Sequence, residues 1–267
     1  MALKIVVAGA TGWVGKALVA AIAASEDFVL VGAVARTAAG EDAGEAVGIA
    51  PLGVTISASL EEALQAPSDV VIDYTKPHVV KDHALAALSA GRHVVIGTSG
   101  LGADDYAEID AEAKSAGKGV IAAGNFSITA TLLKRFALEA AKYVADVEII
   151  DYASAKKPDT PSGTGRELAE ALSAVRQPGT SKPVAELSGL KATRGATIAH
   201  PTSIQVHSVR MPSFVLSCEA IFGAEDERLT IRHDAGSSAA PYVAGTLLAV
   251  RKVVERVGVT RGLDGLL

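Results

Sequence analysis

The stretch KIVVAGATGWVG, residues 4–15, decides the fold of this chain. The apolar run at residues 5–8 predicts a buried strand, and the alanine- and leucine-rich pattern at residues 14–24 predicts a helix directly after it. Between the two lie three glycines at G-x-x-G-x-x-G spacing. Glycine permits a tight turn and a close approach of the backbone, and the first N–H groups of the helix can bind a pyrophosphate.

This turn predicts a dinucleotide-binding site. The same spacing also suits a strand–helix turn that needs glycine only for packing, but its position in the first turn of a βαβ pattern favours the nucleotide. The predicted cofactor-binding residues here are Gly9, Ala10, Thr11, Gly12, Trp13, Val14 and Gly15.

The first half of the chain continues as short apolar strands that alternate with helices. Further strands are predicted at residues 28–35, 70–73, 94–96 and 120–123, with helical patterns between them. Strands that are apolar throughout and are each followed by a helix are typical of a parallel sheet covered on both faces. Right-handed crossovers then give a Rossmann-type, doubly wound α/β domain, predicted over residues 1–126.

The second half has another pattern and predicts a second domain over residues 127–239. Two helical patterns and one strand are followed by three alternating strands, at residues 204–209, 215–222 and 228–233, with a hairpin turn at 223–226. This indicates an α+β domain with a mainly antiparallel sheet. A C-terminal helix, residues 240–267, is expected to complete the first domain.

Composition excludes several classes of protein. The 267 residues carry a formal net charge of −5, which disfavours nucleic-acid binding, and 49% are apolar, which disfavours disorder. The single Cys218 excludes an internal disulfide and a multi-cysteine metal site, and it fits a reducing cytoplasm. No histidine pair has metal-ligand spacing, so no metal is expected. Glycines and Lys16 interrupt the first apolar run, so neither a signal peptide nor a membrane span is expected.

The end of the second predicted strand bears on the choice between NADPH and NADH. A cofactor without the 2′-phosphate usually meets an acidic residue there. Here the strand ends in Ala35-Arg36-Thr37 with no carboxylate, and the planar guanidinium of Arg36 can pair with a 2′-phosphate. NADPH is therefore favoured, with NADH possible. The alternative is that Arg36 is a solvated surface residue.

Several motifs together resemble one family, the 4-hydroxy-tetrahydrodipicolinate reductases, also called dihydrodipicolinate reductases. Besides the glycine turn they are Asp73-Tyr74-Thr75-Lys76-Pro77, Gly97-Thr98-Ser99-Gly100, Asn125-Phe126-Ser127, KPDTPSGT at residues 157–164 and Thr230-Ile231-Arg232-His233. The resemblance implies reduction of a cyclic imine dicarboxylate on the route to diaminopimelate and lysine. It also implies a homotetramer built on the sheets of the second domain.

The resemblance further implies two groups of binding residues. Loops at the ends of parallel strands would line the nicotinamide side of the cofactor, and their residues are Gly97, Thr98, Ser99, Ala123, Gly124, Asn125 and Phe126. Ser162, Gly163 and Thr164 precede a predicted helix and could hold a carboxylate of the substrate at its N-terminus. The alternative for Ser162 or Thr164 is a simple N-cap, and both roles are compatible.

The sequence departs from the family pattern just before that loop. Where the family has H-H-x-H-K, this chain has Ala153-Ser154-Ala155-Lys156-Lys157, and one of the missing histidines is the family's usual proton-transfer residue. Lys157 is retained and is predicted to be catalytic, supplying charge and a proton. Ser154 is predicted to bind a polar group of the substrate. Alternatively, both lysines bind a dianion, or Lys156 points into solvent.

Three functions remain open on this basis. The first is a reductase of the lysine pathway with a rearranged proton donor. The second is a reductase or amine dehydrogenase of the same fold that acts on a different imine or 2-oxo acid. The third is a nucleotide-binding regulator without catalysis, against which Lys157 and the P-S-G-T segment argue, because a binder has no evident need of them.

Overall fold

Two compact units make up the protein, as seen in a computed structural model that describes residues 2–189, 194–198 and 202–267. Unit 1 comprises Met1–Ile128 and Ala239–Leu267, and unit 2 comprises Thr129–Ser238. Within the described residues, no helix is both long and apolar enough to cross a lipid bilayer.

Unit 1 is built on a seven-stranded parallel sheet, with elements numbered along the whole chain. Its strands are β1 (Leu3–Ala8), β2 (Phe28–Val34), β3 (Ile56–Ser57), β4 (Val70–Asp73), β5 (His93–Ile96), β6 (Gly119–Ala122) and β12 (Gly258–Arg261). Its helices are α1 (Trp13–Ala23), α2 (Ala43–Val47), α3 (Leu60–Ala63), α4 (Val80–Ser89), α5 (Ala103–Ser115) and α8 (Ala240–Val253). The strand order is β12-β6-β5-β4-β1-β2-β3, and every pair is parallel.

The apolar strands of this sheet are buried on both faces. In β1, Ile5 and Val7 pack into one hydrophobic cluster with α1 and α8, while Val6 and Ala8 pack into another with α4 and α5. The chain runs from β1 to β2 on one side and later returns to place β4 on the other, so the strand order reverses at β1. In sheets of this kind, ligands bind beyond the carboxyl ends of the strands at such a point. The Rossmann-type prediction is confirmed.

The predicted C-terminal helix is wrong in its second half. Helix α8 ends at Val253, and Gly258–Arg261 then forms β12, which pairs with β6. The N–H of Val259 also donates to Asp110 on α5, at 2.7 Å. A strand of four residues that contains glycine, threonine and arginine carries too little apolar periodicity to be recognised, because its place depends on pairing with a distant strand.

Unit 2 is a five-stranded sheet with helices on one face. Its elements are α6 (Ile128–Ala140), β7 (Asp146–Ala153), α7 (Gly163–Val175), β8 (Ala196–Ile198), β9 (Ile204–Arg210), β10 (Leu216–Ala224) and β11 (Glu227–Ala235). The order is β11-β10-β7-β9-β8, and only the β7–β9 pair is parallel. This confirms a mainly antiparallel sheet. The hairpin is tighter than the predicted turn at 223–226, because β10 continues to Ala224 and Asp226 adopts φ 58°.

Candidate active site

The glycine turn of unit 1 has a backbone geometry that other residues would disrupt. Gly9 adopts φ 85°, and a Cβ there would overlap the carbonyl oxygen of Tyr74. A Cβ on Gly15 would overlap the carbonyl oxygen of Gly9. Helix α1 begins at Trp13, and its N-cap is Gly12, which has no side chain to satisfy the first N–H groups. The turn is therefore a cradle with free donors at a helix N-terminus, which fits the pyrophosphate of a dinucleotide.

The other residues predicted in this turn surround the cradle in different ways. Ala10 is buried beneath it, and Thr11 and Val14 are partly buried. Trp13 is more than half exposed and meets Tyr242 of α8 edge to face, with ring centroids 5.5 Å apart.

A cavity of about 390 Å³ opens beside the turn. Its wall is formed by the turn itself, by residues 34–37 at the end of β2, and by residues 58–61 at the start of α3. Residues 74–76, 78 and 79, together with His83, complete it. The predicted cofactor residue Arg36 lies in this wall and is exposed. These segments follow the carboxyl ends of β1, β2, β3 and β4, the edge of the sheet where a dinucleotide of this fold class binds.

Lys76, His78 and Glu61 are among the cavity residues that the sequence did not indicate as binding residues. Lys76 adds a second cation to the wall, and His78 adds an exposed imidazole. Glu61 adds a carboxylate, and hydrogen bonds from its own backbone N–H and from Ser59 lower its pKa. Lys76 could have been found from its place just after a buried strand. Glu61 could not, because α3 reaches the cavity only through the pairing of β3 with β2.

The hydroxyl of Thr98 hydrogen-bonds to the loop that forms part of the cavity wall. This hydroxyl donates to the carboxylate of Asp73 at 2.6 Å and accepts the N–H of Thr75 at 2.7 Å. The Thr98 hydroxyl is therefore already engaged and is not free for the predicted contact with the cofactor. Its side chain instead joins the loops that follow β4 and β5.

The remaining predicted cofactor residues lie at the same sheet edge and meet at Tyr74. A Cβ on Gly97 would overlap the Tyr74 ring, and the ring of Phe126 lies with its centroid 6.0 Å away. The Tyr74 hydroxyl is 2.7 Å from that of Thr246 on α8, and burial raises the pKa of this phenol. The Tyr74 hydroxyl therefore stays protonated, and the side chain has a structural role. The other residues of these loops are Ser99 and Gly124, which are exposed, Ala123, which is buried, and Asn125, which is partly buried.

In unit 2, the predicted substrate loop spans residues 154–162, between β7 and α7, and Asp151 holds its end. The carboxylate of Asp151 is fully buried and accepts the N–H of Ser162 at 2.7 Å and its hydroxyl at 2.6 Å. The Ser162 hydroxyl also accepts the N–H of Gly165, at 3.2 Å. The N-cap interpretation of Ser162 is confirmed. Gly163 and Thr164 form the first turn of α7 and present the helix N-terminus.

The start of the loop is a turn that contains both Ser154 and Lys157. The N–H of Lys157 donates to the carbonyl of Ser154 at 2.9 Å, and the Ser154 hydroxyl accepts the N–H of Lys156 at 3.4 Å. Lys156 is exposed. The Lys157 ammonium lies 3.0 Å from Asp159, and this hydrogen bond lowers the pKa of the Asp159 carboxyl. Lys157 is thus held in the loop by a partner that a substrate carboxylate could replace.

Arg210 of β9 clamps the loop to the sheet. Its guanidinium donates to the Asp151 carboxylate at 2.8 Å and to the carbonyl of Asp159 at 2.7 Å. Ala153, where the family has its first histidine, is the fully buried last residue of β7. An imidazole at this position would require the surrounding packing to move.

Comparisons with known proteins agree with this geometry. Family models described as "Dihydrodipicolinate reductase, N-terminus" and "Dihydrodipicolinate reductase, C-terminus" match residues 3–126 and 129–267. The chain belongs to the dihydrodipicolinate reductase family. It is 39% identical to 4-hydroxy-tetrahydrodipicolinate reductase of Synechococcus elongatus, over 99% of this chain and 98% of that one. It is 40% identical to the enzyme of that name from Desulfitobacterium hafniense, with the same coverage.

Solved structures extend this result. A dipicolinate-bound dihydrodipicolinate reductase from Paenisporosarcina sp. TG-14 superposes with a TM-score of 0.87 at 30% identity, over the whole of both chains. An amine dehydrogenase from Mycobacterium smegmatis shares the fold, with a TM-score of 0.65 at 17% identity over 97% of this chain and 94% of that one. A member of this family uses a nicotinamide cofactor, and the glycine cradle fits one.

The buried Asp151–Arg210 pair generates a stability prediction. Asp151→Asn keeps the shape of the side chain but removes the charge that balances Arg210, whose side chain is 14% exposed. We expect the free energy of unfolding to fall by about 3–5 kcal/mol, the usual cost of breaking a buried ion pair. Urea unfolding measures this. Lys142→Ala, which breaks an exposed pair with Glu139, is the matched control and should cause no measurable change. Equal stability of the two variants would contradict the prediction.

Proposed function

We propose that this protein is an NADPH-dependent 4-hydroxy-tetrahydrodipicolinate reductase, reducing a cyclic imine dicarboxylate on the route to diaminopimelate and lysine. The observation that carries the proposal is the loop of unit 2. It places Lys157 and the N-terminus of α7, whose N-cap is Ser162, in one loop that Arg210 and Asp151 hold to the sheet. Two cationic or donor-rich points of this kind suit a substrate with two carboxylates. The relatives of that name match the chain over almost its full length.

The residues divide the work of the reaction between the two units. The cofactor supplies a hydride when bound, and the glycine cradle would hold its pyrophosphate, with Arg36 and Lys76 on the cavity wall toward its other phosphate. In unit 2, Gly163 and Thr164 would bind one carboxylate of the substrate through their N–H groups, and Ser154 a polar group. Lys157 would leave Asp159 for the second carboxylate and supply the proton that the imine nitrogen needs after hydride transfer.

A second candidate, reduction of a different imine or 2-oxo acid by the same fold, is favoured by one observation. The histidine run of the family is replaced, and Ala153 leaves no ionisable group at the first position. A changed proton donor is compatible with either substrate. The substrate assay below decides between them.

The activity prediction concerns Lys157. The wild-type protein should oxidise NADPH with the product of dihydrodipicolinate synthase, and faster than with a panel of cyclic imines or of 2-oxo acids plus ammonia. Lys157→Ala should lower turnover at least about tenfold, equivalent to about 1.4 kcal/mol, without changing cofactor affinity. Lys156→Ala, in the exposed neighbour, is the control. A faster panel substrate would favour the second candidate, and unchanged turnover of Lys157→Ala would remove its catalytic role.

The cofactor prediction concerns Arg36. Wild-type protein should bind NADPH more tightly than NADH, because no carboxylate follows β2 and Arg36 lies in the cavity wall. Arg36→Ala should weaken NADPH by about 1–3 kcal/mol, the range for a charge-assisted contact, and leave NADH nearly unchanged. Dissociation constants for both cofactors measure this. Equal losses would contradict the assignment of Arg36 to the 2′-phosphate.

We also propose a homotetramer assembled through unit 2, acting in the cytoplasm. Residues of β7 that alternate with the core, such as Ile150 and Tyr152, face away from α6 and α7. The nine-residue β11 lies at an edge of the sheet and is mostly exposed. Long exposed edges favour pairing with another chain, and the buried Cys218 suits a reducing compartment. Light scattering should give four times the chain mass, and a monomer at micromolar concentration would contradict the assembly.

A further inference from the structure

Asp73, the last residue of β4, is a buried carboxylate with both oxygens engaged. Its side chain is 1% exposed. One oxygen accepts the hydroxyl of Thr75 at 2.7 Å, the N–H of Thr75 at 3.0 Å and the hydroxyl of Thr98 at 2.6 Å. The other lies 2.8 Å from Nδ1 of His83 on α4. One carboxylate therefore joins β4, the loop after β5, and α4.

This network fixes the cavity wall at its backbone. The N–H of Thr75 points at both Asp73 and the hydroxyl of Thr98, so the loop that carries Tyr74 and Lys76 is held from two sides. His83 itself reaches the cavity, with about a fifth of its side chain exposed. The imidazole is thus in contact with the buried carboxylate on one side and with the cofactor cavity on the other.

The charge of His83 matters because a buried carboxylate without a counter-ion is costly. The hydrogen bond to Asp73 is the largest cause that raises the pKa of His83, while burial opposes it. The nearby acidic groups are Glu61 on α3 and Asp82 on α4 itself, and both act in the same direction as Asp73. The basic side chains that line the same cavity are Arg36, Lys76 and His78. Anionic cofactor phosphates would add to the groups that favour the imidazolium.

We propose that Asp73 and His83 form a positioning pair that couples cofactor affinity to pH. Protonated His83 neutralises Asp73, keeps the Thr75–Thr98 wall in place and adds positive charge to the cavity. When His83 loses its proton, the Thr75–Thr98 wall is held less rigidly and the electrostatic potential of the cavity becomes more negative. The inference rests on the proposed use of a nicotinamide cofactor, but not on the identity of the substrate.

The direction of the effect follows from linkage. Because the cofactor is anionic, it binds the protonated form more tightly and raises the pKa of His83 further. Affinity is therefore highest below the pKa of His83 and falls as pH rises through it. For one charge close to the site, we expect a loss of about three- to tenfold.

The test uses the intact chain and NADH. NADH is chosen because it has no 2′-phosphate whose own titration would affect binding. Trp13 is the single tryptophan and lies in the first turn of α1, so its fluorescence reports binding at the cradle. The dissociation constant of NADH is measured from pH 6 to 9 for the wild type, His83→Gln and Asp73→Asn. His78→Gln is the matched control, because it removes another histidine of the same cavity wall that has no hydrogen bond to Asp73 in the network described above.

Wild type and His78→Gln should lose affinity as pH rises, whereas His83→Gln should be weak and independent of pH. In Asp73→Asn the midpoint should move to lower pH, because His83 loses its carboxylate partner; a purely structural role of Asp73 would not move it. A pH dependence that persists in His83→Gln, or disappears in His78→Gln, would overturn the proposal.

Two further results separate the possible failures. If His83→Gln does not fold, NMR titration of His83 in the wild type replaces it, and NADH should raise the midpoint. An unchanged midpoint would overturn the proposal. If neither NADH nor NADPH binds at any pH, the proposed function fails together with the pair. If both bind without pH dependence, only the pair fails.

Discussion

The arrangement of unit 1 depends on a steric constraint between two strand ends. The turn after β1 passes so close to the backbone of Tyr74, after β4, that only glycine fits at position 9. That contact sets the distance between the two loops where the strand order reverses, and the cavity opens beside it. Tyr74 in turn contacts the other loops at this edge of the sheet. Its ring packs on Gly97 and near Phe126, and its hydroxyl meets Thr246 of α8.

Both units fix their functional loops with the same device. Asp73 in β4 and Asp151 in β7 are buried carboxylates that accept hydroxyl and N–H groups from the loops they hold. Each has one cationic or ionisable partner from another element, His83 for Asp73 and Arg210 for Asp151. Such partners repay the cost of burial only when the geometry is good and the remaining oxygens are satisfied, as they are here. The two buried carboxylates thus position the backbone of the loops rather than contact ligands directly.

The sequence predicts the parts of this structure that depend on neighbours along the chain. The strand, the glycine turn and the helix over residues 4–24 form a local unit, so periodicity and spacing were enough. Ser162 could be recognised as an N-cap for the same reason. Arg36 could be placed at the end of β2, although its role in cofactor choice stays a prediction.

Contacts between distant residues could not be predicted in this way. Thr98 is separated from Asp73 by 25 residues, and the sequence alone predicts that its hydroxyl is available to a cofactor. In the structure, the parallel pairing of β4 with β5 places this hydroxyl next to the Asp73 carboxylate. His83 lies ten residues after Asp73, at the fourth position of a helix, and nothing in its spacing indicates a buried partner. Glu61 entered the cavity wall through β3, a strand of only two residues.

The position of β12 has a consequence for synthesis of the chain on the ribosome. Unit 1 is complete only when α8 and β12 have emerged, since they cover one hydrophobic cluster and pair with the open edge of β6. All of unit 2 lies between β6 and these elements, and its strands are contiguous in the chain. Unit 2 can therefore finish folding while unit 1 still has an unpaired strand edge. The nascent N-terminal segment must remain soluble in that incomplete state, although an unpaired strand edge favours aggregation.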